Sequence, residues 1–173
     1  MPTLFLILGD RIGLNLTLST APNHVFVHYH LPDGRVVNIE TTSGGHPSRN
    51  EWIRQNFKMT DAAVANGLYL KTMSRRQTGA LLASIVLEYY YEQGMYGYVV
   101  HIADALLDVY PEFDAALIYR GLAYQMMLQL NFLDNYPDLR MVPQSQVSLF
   151  NHLAENAEAS FNRVEALGYA LQE

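Results

Sequence analysis

His24-Val25-Phe26-Val27-His28-Tyr29-His30-Leu31-Pro32-Asp33-Gly34-Arg35-Val36-Val37-Asn38-Ile39-Glu40 reads as two strands joined by a tight turn. Val25, Val27, Tyr29 and Leu31 alternate with His24, Phe26, His28 and His30, the period of two that places successive side chains on opposite faces. Pro32-Asp33-Gly34 supplies the reversal, and Val36 to Thr42 is β-branched enough to return as the partner strand. With a three-residue connection, Leu31 pairs with Arg35 and Phe26 faces Glu40. His24 then lies diagonally from Glu40 on the same face, with backbones about 7–8 Å apart. A two-residue connection would throw Glu40 to the other face. The spacing therefore predicts an imidazole and a carboxylate brought together from adjacent strands.

Upstream, Leu14, Leu16 and Leu18 alternate with Asn15, Thr17 and Ser19 as a half-buried strand. Before it, Pro2 suits a first helical turn and Gly13 a stop. Leu4 to Leu8 is apolar almost all round, which predicts a helix buried inside a domain. No basic residue precedes this run and Asp10 and Arg11 end it, so it makes a poor signal peptide and is far too short to span a bilayer. Residues 43–73 read as loop with short helices, Ser48 and Thr60 being N-cap candidates. Helices are expected over Ser74–Gln93, Met95–Tyr110, Phe113 to about Leu130 and Ser145 to about Leu167, with Asn131–Pro143 as a loop. The expected fold is α+β: a partial helix-plus-antiparallel-strand core in residues 1–57, a linker with a short helix in 58–73, and an all-α region in 74–173.

The helical half carries a repeat. Tyr90 and Tyr124 are 34 residues apart, as are Leu87 and Gly121, the period of a tetratricopeptide helix–turn–helix unit. Gly94, Tyr96 and Pro111 complete the first copy. The second copy reaches its Ala157 and Phe161 only after the 131–143 insertion. This half resembles a pair of tetratricopeptide repeats, the second interrupted.

Half of the 173 residues are hydrophobic and 16% are charged, so a core can form; the net charge is −6 and the pI near 5.4. An acidic chain does not suit nucleic acid or an anionic membrane. There is no cysteine, hence no disulfide. His24, His28 and His30 share a strand face but are spread along it, so tight ligation, with His46 as a further histidine, would need a loop to fold over; no metal is expected. Gly44-Gly45 lacks the strand–loop–helix context and Lys of a phosphate cradle. No cofactor is expected.

The segments Thr20-Ala21-Pro22-Asn23-His24-Val25-Phe26-Val27 and Asn38-Ile39-Glu40-Thr41-Thr42-Ser43-Gly44-Gly45 resemble the transglutaminase-like branch of the papain-like thiol enzymes. Bacterial members often join this core to trailing helical repeats. The resemblance implies His24 as general base and Glu40 as the acid that orients it, where the family more usually has Asp. It also implies a Cys at the N-terminus of the helix that begins at Pro2. A thiolate there, beside an imidazolium, would attack amide or ester carbonyls. This sequence holds no such residue, so the Cys is expected upstream of Met1 or lost.

The chain is thus expected to be an incomplete or catalytically inactive transglutaminase-like domain carrying a helical protein-binding module. The alternative is a fragment of a thiol acyl-transferase or peptidase whose Cys precedes Met1. Tyr89, Tyr91 and Tyr98 are candidates for lining a peptide-binding groove. A protein or peptide partner, a homodimer and a cytoplasmic location complete the expectation.

Overall fold

The structure, a computed structural model, describes residues 2–170. These fall into two compact units, one comprising the chain up to Gly79 and from Leu167 onward, the other Ala80–Ala166. The architecture is α+β: a four-stranded antiparallel sheet with a helix, followed by a mostly helical region.

The first unit opens with α1 (Pro2–Arg11) and continues with β1 (Leu16–Ala21), β2 (His24–His30), β3 (Val36–Glu40) and β4 (His46–Ser48), in the spatial order β1-β2-β3-β4. Pro22-Asn23 turns β1 into β2, with Asn23 at φ 53°, a left-handed conformation that Asn tolerates. The connection from β2 to β3 has the three-residue form, with Leu31 N–H donating to Arg35 O at 2.9 Å and Gly34 N–H to Leu31 O at 3.0 Å. The register follows: Val27 pairs with Ile39 and His28 with Asn38.

Strand β4 falls inside residues 43–73, which the sequence pattern assigns to loop and short helices. Gly44 and Gly45 are consecutive left-handed residues (φ 73° and 79°), and Gly45 N–H donates to Glu40 O at 2.9 Å. Only glycine takes this pair of conformations without strain. The turn returns the chain so that His46 pairs with Glu40. The Gly-Gly pair is therefore a reversal between strands.

One face of the sheet carries Ala21 and Phe26, which pack with Ile53 of α2 (Asn50–Asn56), Phe57, Met59 and Leu70. The other face receives α1. Gly9 packs on Leu16, and a methyl group added to Gly45 would meet the Phe5 ring at 3.1 Å and Ile39 at 4.0 Å. Helix α1 is not the interior helix its composition suggests. Gly9 is its buried residue, while Leu4, Ile7 and Leu8 are about half exposed. Apolar side chains all round tell that one side is covered, not that every side is.

Residues 58–73, expected to form a linker, are bound into the first unit. Thr60 caps α3 (Asp61–Ala65) by accepting from Ala63 N–H at 2.9 Å. Beyond it, Leu70 N–H donates to Thr20 O and Met73 N–H to Leu18 O. Those bonds cover the free edge of β1, which would otherwise expose unpaired backbone groups.

The expected helix from Ser74 is divided at Ser84 into α4 (Arg75–Ala83) and α5 (Ile85–Glu92). Ser84 Oγ donates to Leu81 O at 2.7 Å and Leu87 N–H to Ser84 O at 2.9 Å. This back-bonding and the tightened turn interrupt the α-helical pattern at Ser84. The second unit then builds α6 (Tyr96–Val109), α7 (Asp114–Leu128) and α8 (Val147–Ala166) around buried Leu87, Val99, Ala103, Leu117 and Val164. Within the 131–143 insertion Phe132 is buried against Tyr124, Leu153 and Ala157. Arg120 ties three helices together, donating to Asp104 at 2.7 Å, Ser160 at 2.8 Å and Asn156 Oδ1 at 3.0 Å.

Helices α7 and α8 pack closely at Gly121, where an added methyl would lie 2.8 Å from the Phe161 ring. Gly121→Ala is expected to destabilise the chain by about 1–3 kcal/mol through overpacking. Urea unfolding would show a lower midpoint, and Phe161→Leu in the same chain should recover part of the loss.

Candidate functional site

His24 begins β2 and Glu40 ends β3, so the two lie at one end of the sheet. Because Phe26 stands across from Glu40 in this register, His24 and Glu40 share a face on the diagonal. His24 Nε2 and Glu40 Oε2 are 2.7 Å apart. The extra methylene of Glu over Asp helps to span that diagonal. Both groups are shielded, their side chains 13% and 3% exposed. The imidazole stacks on the Phe57 ring, centroids 4.2 Å apart and planes 10° from parallel; Trp52 meets Phe57 edge-on at 6.5 Å.

The second carboxylate oxygen is also held. Glu40 Oε1 accepts from Thr42 N–H at 3.0 Å and from the Thr42 hydroxyl at 2.7 Å. Burial pushes the Glu40 carboxyl up, but the Thr42 hydroxyl, the Thr42 amide and His24 together outweigh it and hold the group below its ordinary value. Glu40 is therefore ionised at neutral pH and only accepts hydrogen bonds. In a neutral imidazole the proton must then sit on Nε2, which leaves Nδ1 as the lone-pair nitrogen. This tautomer is assigned from the hydrogen bond. A carboxylate so placed fixes one imidazole tautomer and stabilises the charged form of the ring.

Helix α1 runs along the opposite face, from Phe5 at Gly45 to Gly9 at Leu16. Leu16 pairs with Tyr29 and Ala21 with His24, so α1 starts at the end of the sheet where His24 and Glu40 lie. A group ahead of that helix would have to pass around the sheet end to meet the imidazole. A cavity of about 580 Å³ adjoins Glu40, lined also by Ser43, His46, Arg49, Trp52 and Gln55. A second, of about 650 Å³, borders His28, Asn38, Asn50 and Thr72.

Compared with protein-family models, curated proteins and solved structures, the chain matches none.

The other histidines of the strand have partners of their own. His28 Nδ1 is 2.9 Å from Thr72 Oγ1, and His30 Nε2 is 2.8 Å from Thr17 Oγ1. Among the described residues no three His, Asp or Glu are grouped to hold a metal ion, and no helix is long and apolar enough to cross a membrane. In the second unit Tyr89 and Tyr98 are 59% and 62% exposed. Tyr91 differs: it is half-buried, edge-on to Tyr96 at 5.4 Å and to Tyr119 at 5.8 Å. Sequence reasoning missed Thr42 and the Phe57–Trp52 shelf. Thr42 carried a usable signal, a hydroxyl residue two positions after the acid, the spacing of a local side-chain-to-backbone turn. The shelf carried none, since which aromatic meets His24 depends on where α2 docks.

Proposed function

We propose that the first unit is the acid–base part of a transglutaminase-like thiol site, inactive in this chain, and that the helices form a tetratricopeptide-like module that binds protein. The 2.7 Å bond between shielded His24 and Glu40 carries the reading, because both oxygens of the carboxylate are committed to fixing its position. The pair can hold and move a proton at His24. Without a thiol it forms no acyl intermediate. Supporting the module, the pairs α5–α6 and α7–α8 follow one another, Tyr90 and Tyr124 stand near the ends of α5 and α7, and Gly121 meets Phe161.

Amide and ester substrates are expected to turn over no faster with this chain than with His24→Ala. Turnover that disappears in His24→Ala would show a working catalyst and defeat the inactive reading. For the module, a pull-down is expected to recover a protein that is lost in a Tyr89→Ser, Tyr98→Ser chain.

A second reading rests on α1 starting at the same sheet end as the pair, though on the other face: a Cys on polypeptide joined ahead of α1 would reach around that end and complete an amide hydrolase or acyl-transferase. A chain extended with such a Cys should be labelled by a thiol-directed amide probe, and His24→Ala should abolish the labelling. Reaction indifferent to His24 would remove this reading. Exposed Leu4, Ile7 and Leu8 on α1 also support self-association of the chain, which a monomer in light scattering would discard.

A further inference from the structure

The net charge of −6 conceals a strong segregation. Residues 80–166 contain eleven Asp and Glu and three Arg, whereas the remainder has six acids and eight Lys and Arg. The helical unit therefore carries minus eight and the rest plus two. Its three arginines are engaged: Arg120 with Asp104, Arg140 with Asp138, and Arg163 with the Pro111 carbonyl. Glu88 and Glu92 are exposed and form no ion pair among the described residues.

These two carboxylates border an apolar surface. On α5, Ile85 and Tyr89 are four residues apart, Glu88 is three from Ile85, and Glu92 is three from Tyr89, all neighbouring spacings on a helix. Ile85 is 73% exposed. Tyr90 links Tyr89 to α6, its ring 5.4 Å from Tyr89 and stacked on Tyr98 at 5.6 Å. Exposed Ile85 and Tyr89 on α5 are thus joined through half-buried Tyr90 to exposed Tyr98 on α6, with carboxylates beside them. Their field reaches inward, because burial first and then Glu88 and Glu92 push the Tyr119 phenol above its ordinary value.

We infer that this face docks a cationic peptide segment, its Lys or Arg meeting Glu88 and Glu92 and its apolar side chains covering Ile85, Tyr89 and Tyr98. The inference rests on the protein-binding reading of the helices and names the partner's chemistry. A second copy is itself acidic overall, at −6, and an anionic surface is repelled, so charge complementarity selects the cationic segment. Tyrosine faces also attract guanidinium and ammonium groups, and exposed aromatics are common anchors of binding energy.

Fluorescence anisotropy of the whole chain with three labelled peptides tests this. One peptide mixes Arg, Lys and Leu, one replaces Arg and Lys with Glu, and one replaces Leu with Ser. The first is expected to bind, the second not, and the third more weakly. Affinity for the first should fall about tenfold or more in Tyr89→Ser, Tyr98→Ser and in Glu88→Gln, Glu92→Gln chains shown folded by circular dichroism. Equal binding by both variants and the parent would mean diffuse attraction to the acidic unit and overturn the proposal. A Glu peptide bound through the tyrosines would overturn the cationic assignment and leave the protein-binding reading standing. Silence from all three peptides does the same if the pull-down still recovers a tyrosine-dependent partner; if it does not, both fall.

Discussion

Acidification from pH 6.5 to pH 4 is expected to remove about 3 kcal/mol of stability through His28 alone. His28 is 5% exposed in the middle of β2. Burial, and then the neighbouring His30, lower its pKa from 6.5 to about 4. In that interval the unfolded chain carries a proton on this imidazole and the folded chain does not. Stability then falls with pH at roughly 1.4 kcal/mol per unit, and the full loss is reached below the folded value. Carboxylates of the ordinary range titrate at the acid end of this interval, so the slope is clearest above about pH 5. Urea unfolding between pH 7 and pH 4 reads it directly. His28→Gln, which keeps a polar group for Thr72 and has nothing to titrate, should flatten the curve. An unchanged slope in that variant would place the acid sensitivity elsewhere.

The hairpin that holds this histidine was legible in the sequence, and the reason is local. Strict alternation from His24 to Leu31 and the Pro32-Asp33-Gly34 turn left two registers open, and the three-residue connection bounded by Leu31 and Arg35 is the one that puts His24 and Glu40 together. The helical half was legible for a similar reason, since periodicity and breakers at Gly94 and Pro111 act over short distances. What the sequence hid depends on distant partners. β4 is three residues, His46-Pro47-Ser48, too short and too proline-marked to show strand character. Helix α1 is apolar all round, and composition does not reveal which side the sheet covers. Ser84 looks like an ordinary helix residue until its hydroxyl turns to Leu81 O. Residues 58–73 lack a long periodic run, yet their backbone bonds to Thr20 and Leu18 make them part of the first unit. Charge hid for another reason: a total of −6 averages two regions of opposite sign.

Glu40→Ala is expected to cost about 3 kcal/mol and to release His24 from its single tautomer. The alanine strands three groups at once: the shielded imidazole Nε2, the Thr42 amide and the Thr42 hydroxyl. Removing one partner of a buried pair is costly because the survivors keep their desolvation. Glu40→Gln separates stability from site chemistry. Its volume is nearly unchanged and its amide oxygen can still accept from Thr42, so the stability loss should be smaller. The amide can equally turn its NH₂ toward Nε2 and favour the opposite imidazole tautomer. Nitrogen-15 NMR of labelled histidine distinguishes the two tautomers. The parent should show His24 protonated at Nε2 when neutral, and Glu40→Gln should show a mixture or the reverse. The pH dependence supplies a second reading. A carboxyl held below its ordinary value of 4.5 contributes stability at pH above that value and loses it as pH falls through the folded value. The Glu40 part of the acid response therefore lies below most of the His28 part. A chain with His28→Gln should retain that lower step, and one with Glu40→Gln should lack it while keeping the upper slope. A parent imidazole already mixed between tautomers would show that Glu40 does not orient His24, and the acid–base reading of the site would fail with it.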